Sequence, residues 1–312
     1  LPPRMPPIVP QPEMVEDDAA VVHGQHTNQP TLPSLDFGAT TWLSNDDSMS
    51  LAGAQRMLFA MEREIKLSPS EVRPHELLNY FSFDALAPRG DSLFSVTGAA
   101  SEVDGDSLAL SLAVKGTDAV RAPVDLTMVL DRSGSMSSEG RMSYTKRGLG
   151  LLVDQLRKGD RLDIVLFDND VCTPVTGWVA GRDDPAIIAN VVQQLRPRGS
   201  TNLDAGLREG YRIANTRSAR GRSQRVMLLT DAFLNTGNVN SALVSEVAKQ
   251  FDKKGIRLTG VGVGRNFNDK MLNVLTEKGK GAYVYLGSEA VVDRLFGAGF
   301  DALIHTIAHD VR

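Results

Sequence analysis

Cysteine is almost missing from this chain. A single residue, Cys172, among 312 excludes an intrachain disulfide and any cysteine-cluster metal site, and leaves the compartment open. Long apolar runs are lacking too, since none reaches the ~20 residues needed to span a bilayer. Neither sign of charge dominates: the formal net charge of -4 gives no general pull toward nucleic acid or acidic membranes. The opening stretch "LPPRMPPIVPQPEMVEDD" has no charged-then-apolar signal-peptide pattern. It also has no initiator Met, so the chain is expected to be processed or trimmed, with any export signal or N-terminal anchor outside it. What is present, 42% hydrophobic and 23% charged residues, suits a globular protein, and the length suits one large domain with an accessory piece.

Proline is concentrated where structure is least expected. Eight of the 15 prolines fall within residues 1–34, which reads as an extended, polyproline-like tail or linker. Residues 35–119 read as an accessory region of helices followed by strands. Leu51, Ala54, Leu58, Met61 and Ile65 step by three and four and predict one apolar helix face. Ser68, Pro69 and Glu71 form a helix-start signal, and the helix carrying "HELLNYF" is expected to dock through Phe81 and Phe83. Between Leu93 and Lys115 the period changes to two, with Asp104-Gly105 as a turn signal. That predicts a β-hairpin or a pair of sandwich strands, a unit marginal by itself.

From 120 to 312 strand and helix patterns alternate. Strands are predicted at 126–130, 162–167, 226–229, 258–263 and 282–286, separated by amphipathic segments such as "YTKRGLGLLVDQLRK". The fold class is therefore α/β, a doubly wound, mostly parallel sheet with helices on both faces. Such sheets bind ligands beyond the carboxyl ends of their strands. There the hydrophobic run "VDLTMVLDRSGSMSSEG" breaks into Asp131, Ser133 and Ser135. Two more segments offer matching oxygens: "RGSTNLDAG", with Thr201 ahead of a helix, and "VMLLTDAF", with Asp231 after a strand. Carboxylates and hydroxyls without His or Cys make a hard-oxygen set suited to Mg²⁺, Mn²⁺ or Ca²⁺. Two carboxylates nearly neutralise a divalent ion, and the small carboxylate count favours Mg²⁺ or Mn²⁺ over Ca²⁺.

These residues resemble the von Willebrand factor A domain family with its metal-ion-dependent adhesion site, whose pattern DxSxS, then T, then D is met by Asp131, Ser133, Ser135, Thr201 and Asp231. The resemblance implies a Rossmann-like domain over about 120–312. It implies that Ser133, Ser135 and Thr201 touch the metal, with the aspartates acting directly or through water. "RPHELLNYFSFD", "RGSTN", "TDAFLNTG", "LTGVGVGRNFNDKML" and "TIAHDVR" are similar to a bacterial cell-envelope lipoprotein family, which implies an A domain inserted into a β-rich accessory domain. Two positions depart from the pattern. Arg132 stands where a smaller residue would sit, either pointing to solvent or lending positive charge to an acidic ligand, and Ala232 replaces the usual Gly.

Function follows as an expectation: a cell-envelope or cell-surface adhesion module whose cation takes an Asp or Glu carboxylate of a protein partner, with no nucleic acid involved and any membrane association through an N-terminal anchor. The alternative is a structural scaffold of an envelope assembly, making contacts through the proline-rich tail and open β-edges. No enzyme is expected. The site loops hold no His, Ser133 occupies the place of an aspartyl phosphatase's second Asp, and a GxSxG elbow is absent. Other features have plainer readings. "GVGVGR" (260–265) lacks a full GxGxxG and suits close helix packing. His305 and His309, four apart, suit a helix end. Asp168 and Asp170 suit a turn between two strands, and Arg217, Arg220, Arg222 and Arg225 a solvated loop rather than an anion-contact patch.

Overall fold

The structure, a computed structural model, describes residues 50–67, 69, 72–80, 85–105, 107–117, 121–232, 241–264 and 267–305. The proline-rich tail, Ser68, Glu71, Phe81, Phe83, His309 and the closing "TIAHDVR" lie outside the described residues.

In chain order, helices α1 (Ala52–Glu62) and α2 (Pro74–Tyr80) precede strands β1 (Phe94–Asp104) and β2 (Ser107–Gly116). The alternating part then runs β3 (Val124–Asp131), α3 (Arg141–Gln155), β4 (Arg161–Phe167), β5 (Val171–Val179), α4 (Ala186–Gln194), α5 (Leu203–Arg217) and β6 (Ser223–Thr230). It closes with α6 (Ser241–Asp252), β7 (Ile256–Val263), α7 (Asp269–Gly279), β8 (Lys280–Leu286), α8 (Glu289–Phe296) and α9 (Phe300–Ile304).

Among the described residues six strands form one sheet in the order β5-β4-β3-β6-β7-β8. All neighbours are parallel except β5, which returns antiparallel beside β4. Every residue of β3 is buried, as a strand covered on both faces must be. Its side chains alternate between two cores. Leu126, Met128 and Leu130 join α3, α8 and α9 residues such as Leu149, Phe296 and Phe300, while Val129 joins α5, α6 and α7 residues such as Leu207, Val244 and Leu272. The chain leaves β3 to one side for β4 and to the other for β6, so strand order reverses at β3 and its C-terminal end is the crevice where this fold class accepts ligands.

Glycines set how closely helices approach. A methyl on Gly210 of α5 would stand 2.3 Å from Val129 Cγ2. Gly210→Ala should gain about 1 kcal/mol in helix propensity yet lose more to overpacking against a rigid β-branched neighbour, a net destabilisation of about 1–2 kcal/mol. A thermal melt checks this, and an unchanged midpoint would contradict the packing. Gly260 and Gly262 of "GVGVGR" serve the same purpose: a Cβ on either would lie 2.4 Å from Thr276 or from the Phe267 ring.

The expected apolar face of α1 is corrected. Met61 is 70% and Ile65 40% exposed, whereas Ala52, Gly53, Ala54, Gln55, Arg56 and Ala60 are buried. The helix is seated by polar contacts: the Leu51 amide donates to the Tyr283 carbonyl (2.9 Å), the Tyr285 amide donates to Gln55 Oε1 (2.7 Å), and Arg56 pairs with Asp269 (3.1 Å). Arg73, ahead of α2, forks onto the same carboxylate at 2.7 and 3.2 Å. Buried Glu76 accepts from the Gly53 amide at 2.5 Å and from Arg73.

The predicted hairpin is present as β1 and β2, antiparallel with a register shift between Glu102 and Asp104. It makes a separate two-stranded sheet. Along β2, Leu108, Leu110, Leu112 and Val114 share one face and are 59–69% exposed. The predicted turn at Asp168 and Asp170 likewise joins two strands, β4 and β5. The arginine segment is neither a free patch nor a solvated loop. Arg217 pairs with Asp163 and Arg222 with Asp125, Arg225 is buried with Nε on the Ile304 carbonyl, and only Arg220 of the four is fully exposed. His305 caps the C-terminus of α9.

Candidate metal centre

Three loops meet at the C-terminal end of the parallel strands. Asp131 is the last residue of β3, and the chain turns there into a short 3₁₀ segment, Gly134–Ser137. The turn is held by the Ser133 amide, which donates to Asp131 Oδ1 at 2.8 Å. It brings Ser133 Oγ to 3.0 Å from Ser135 Oγ, so two hydroxyls converge on one point. The second loop is pinned to the first: the Gly134 amide donates to the Gly199 carbonyl (3.0 Å) and the Arg198 amide to the Arg132 carbonyl (2.7 Å). Two residues beyond Gly199, Thr201 is fully buried ahead of α5. The third loop follows β6, where Thr230 Oγ1 donates to Asp131 Oδ2 at 2.5 Å and Asp231 comes next, 0% exposed.

The five residues singled out by spacing thus lie on the loops that the fold gathers. Asp131, Ser133, Thr201 and Asp231 are buried and Ser135 is partly exposed. The last opens the cluster to the rim. Thr230 hydrogen-bonds the first carboxylate and was not anticipated, although "LLTD" already placed it beside Asp231. Ala232 shows what the departure from Gly costs: it holds φ +55° while fully buried, in the left-handed region that favours glycine.

Charge at the site is unevenly compensated. Arg141, the first residue of α3, donates through Nη1 to Asp231 Oδ2 (2.7 Å) and to the Ser135 carbonyl (3.0 Å), and through Nη2 to Glu139 (3.1 Å). Asp231 therefore has a fixed cation at hand. Among the described residues Asp131 has hydrogen bonds only. Burial pushes its carboxyl up, to about 6, against the pull of Thr230 and Ser133, and nearby Asp231 pushes the same way. Among the described residues no group of three or more His, Cys, Asp or Glu side chains is placed to hold a metal. Any cation here must be bound by a mixed set of carboxylate and hydroxyl oxygens, the donor chemistry of a small hard ion. Buried carboxylates with a guanidinium as stand-in cation fit that group.

The remaining departure is also placed. Arg132 is not directed freely into solvent: its Nε lies 2.9 Å from Asp168 Oδ2. Buried Asp168 also takes the Arg198 Nε at 2.6 Å. Burial alone would raise its carboxyl, and the Asp170 amide with the two arginines outweighs that and holds it below the usual range.

Comparison with known proteins establishes the family of the fold. The model of the von Willebrand factor type A domain matches residues 125–296. The chain belongs to the von Willebrand factor type A domain family. A curated relative, the uncharacterized protein YfbK of Escherichia coli, is 26% identical over 279 residues, 85% of this chain and 48% of that protein. The uncharacterized protein sll0103 of Synechocystis is 28% identical over 214 residues, 67% of this chain and 46% of that protein. The chain thus spans about half the length of these relatives. Human inter-alpha-trypsin inhibitor heavy chain H3 is 26% identical over 176 residues, 54% of this chain and 20% of that protein. Among solved structures, a von Willebrand factor type A protein from Catenulispora acidiphila aligns with a TM-score of 0.50 at 18% identity, covering 68% of this chain and 50% of that one. It shares the fold. A domains typically mediate protein–protein interaction or adhesion through a metal-ion-dependent adhesion site that binds a divalent cation, and are generally binding modules rather than enzymes.

Proposed function

We propose that this A domain, taken as 120–312, binds one divalent cation through Asp131, Ser133, Ser135, Thr201 and Asp231, Mg²⁺ or Mn²⁺ in preference to Ca²⁺, and that an Asp or Glu carboxylate of a protein partner completes the site. The observation that carries this reading is the convergence of two buried carboxylates and a pair of hydroxyls 3.0 Å apart at the switch point of the sheet. A bound cation would supply a Lewis-acid position for an incoming carboxylate. The chain's own residues orient it: Thr230 and the Ser133 amide fix Asp131, and Arg141 fixes Asp231. With those groups committed and no His on the site loops, the site suits adhesion rather than catalysis. The setting we propose is a bacterial cell envelope, reached through an N-terminal anchor or by secretion. Among the described residues no helix is long and apolar enough to cross a membrane.

Titration calorimetry with Mg²⁺, Mn²⁺ and Ca²⁺, beside a pull-down from bacterial envelope extract in Mg²⁺ or EDTA, tests the reading. Heat with at least one ion and EDTA-sensitive capture are expected, and silence with all three ions would remove the site. Thr201→Ala should weaken partner capture more than cation binding, because a neutral hydroxyl holds the ion less strongly than a carboxylate does. Equal losses in both assays would contradict that division.

The exposed leucine face of β2 supports a second reading, in which the accessory region 35–119 and the tail 1–34 make scaffold contacts of an envelope assembly. Contiguous exposed apolar surface of this kind commonly marks an interaction site. In that case EDTA leaves capture intact and deletion of 1–34 abolishes it.

A further inference from the structure

A second polar cluster adjoins the candidate cation site, with two guanidiniums gathered on one buried carboxylate. Asp168, in the turn after β4, is 2% exposed, and its Oδ1 accepts the Asp170 amide at 2.8 Å. Its Oδ2 is shared by two guanidiniums, with Arg198 Nε donating at 2.6 Å and Arg132 Nε ion-paired at 2.9 Å without a hydrogen bond. One arginine would satisfy a buried carboxylate; the second is opposed beyond it only by exposed Asp170, which acts weakly on Arg198. Both arginines belong to the site loops. Arg132 stands between Asp131 and Ser133, Arg198 three residues ahead of Thr201, and the backbone bond between them holds the two loops together. Arg198 is anchored through a hydrogen bond from Nε and Arg132 by its ion pair, and among the described residues neither has a further partner at its Nη nitrogens. The Arg198 side chain is 59% exposed, so the anchored fork faces solvent at the rim.

A guanidinium fixed at Nε presents its two Nη groups in a plane that matches the two oxygens of a carboxylate. Shape more than net charge chooses among anions. Two arginines face buried Asp168 and, more weakly, exposed Asp170, so little net charge is left over, and a planar carboxylate suits the exposed fork better than a doubly charged phosphate.

We propose that Arg132 and Arg198, gathered on Asp168, form an anion subsite beside the cation site that takes a second carboxylate of the same partner segment. The inference rests on the adhesion reading above: the first carboxylate goes to the cation and the second to the arginine pair. The favoured partner is then a di-acidic protein segment rather than any single Asp or Glu, and Arg132, a misfit by the usual pattern, becomes a specificity residue.

Short synthetic peptides with one aspartate, or with two separated by one to four residues, titrated into the full chain in Mg²⁺ and in EDTA, test this. In Mg²⁺, one di-acidic spacing should bind roughly five- to tenfold more tightly than the mono-acidic peptide, the scale of an exposed or interfacial charge pair. Arg198→Gln should remove most of that gain, and Arg198→Lys, which keeps the charge and loses the fork, should retain part of it. Because Arg198 is mostly exposed, these variants should melt with the wild type. Equal affinity for mono- and di-acidic peptides at every spacing, or a gain untouched by Arg198→Gln, overturns the subsite while Mg²⁺ dependence leaves the cation reading standing. Should Mg²⁺ have no effect on any peptide, the cation reading fails. In that event a di-acidic preference abolished by Arg198→Gln still upholds the arginine subsite, and its absence overturns both.

Discussion

Asp269→Ala should destabilise the protein by about 3 kcal/mol, the scale of breaking a buried ion pair from one side, and should release α1 and α2 from the sheet edge. Arg73 and Arg56 reach this carboxylate at 2.7 and 3.1 Å with side chains 14% and 10% exposed, and the Tyr283 hydroxyl donates to it at 2.6 Å. Removing it leaves two guanidiniums poorly solvated and unneutralised by their shared partner. Hydrogen exchange should then show lost protection over 52–62 and 74–80, and a variant that melts and exchanges like wild type would refute the role. The same carboxylate sets an acid limit. Burial would raise its pKa, but Arg73, Tyr283 and Arg56 outweigh burial and hold it below the ordinary value. A depressed folded pKa stabilises above the unfolded value, about 4, and that contribution is lost as pH falls through the folded value. The wild type should therefore lose stability below pH ~4 more steeply than Asp269→Ala does.

Asp131→Asn should abolish cation binding yet leave the metal-free protein as stable as wild type, or more so. If the proposed site holds, losing this carboxylate should cost at least the roughly 10- to 100-fold in affinity typical of an outer-shell partner. In EDTA the balance is opposite. The folded Asp131 carboxyl is raised to about 6 by burial, above its unfolded value near 4, so the folded state binds the extra proton between those pH values. Stability is then fully present below the unfolded pKa and declines as pH rises toward 6. At pH 7 an uncharged Asn avoids that penalty and should gain about 1–3 kcal/mol. Melting curves in EDTA and in Mg²⁺ separate the two effects. Stabilisation of wild type by Mg²⁺ that persists in Asp131→Asn would mean that the ion binds elsewhere.

The failures of sequence reading share a cause. The apolar stripe of α1 was misassigned because its helix is held by a backbone bridge to β8 and by charges on Asp269 and Glu76, partners that periodicity does not register. The arginines of 217–225 read as a loop because their carboxylates, Asp163 and Asp125, lie on other strands. Arg141 gave no signal at all. Its guanidinium meets Asp231 across 90 positions of chain, and only the turn from the 3₁₀ segment into α3 aims it there.

By itself the sequence determined the alternating architecture and the strand that ends in Asp131, and it proposed the five oxygen-bearing residues Asp131, Ser133, Ser135, Thr201 and Asp231. Buried strands need unbroken apolar runs, and a ligand site at their carboxyl ends must appear where each run stops, so both are written locally. Tertiary structure alone decided that Asp231 has a guanidinium beside it while Asp131 has hydrogen bonds from Thr230 and the Ser133 amide, and that Asp168 gathers Arg132 and Arg198 nearby. Charge compensation depends on distance through space and on exclusion of water, and neither is a property of neighbours in sequence.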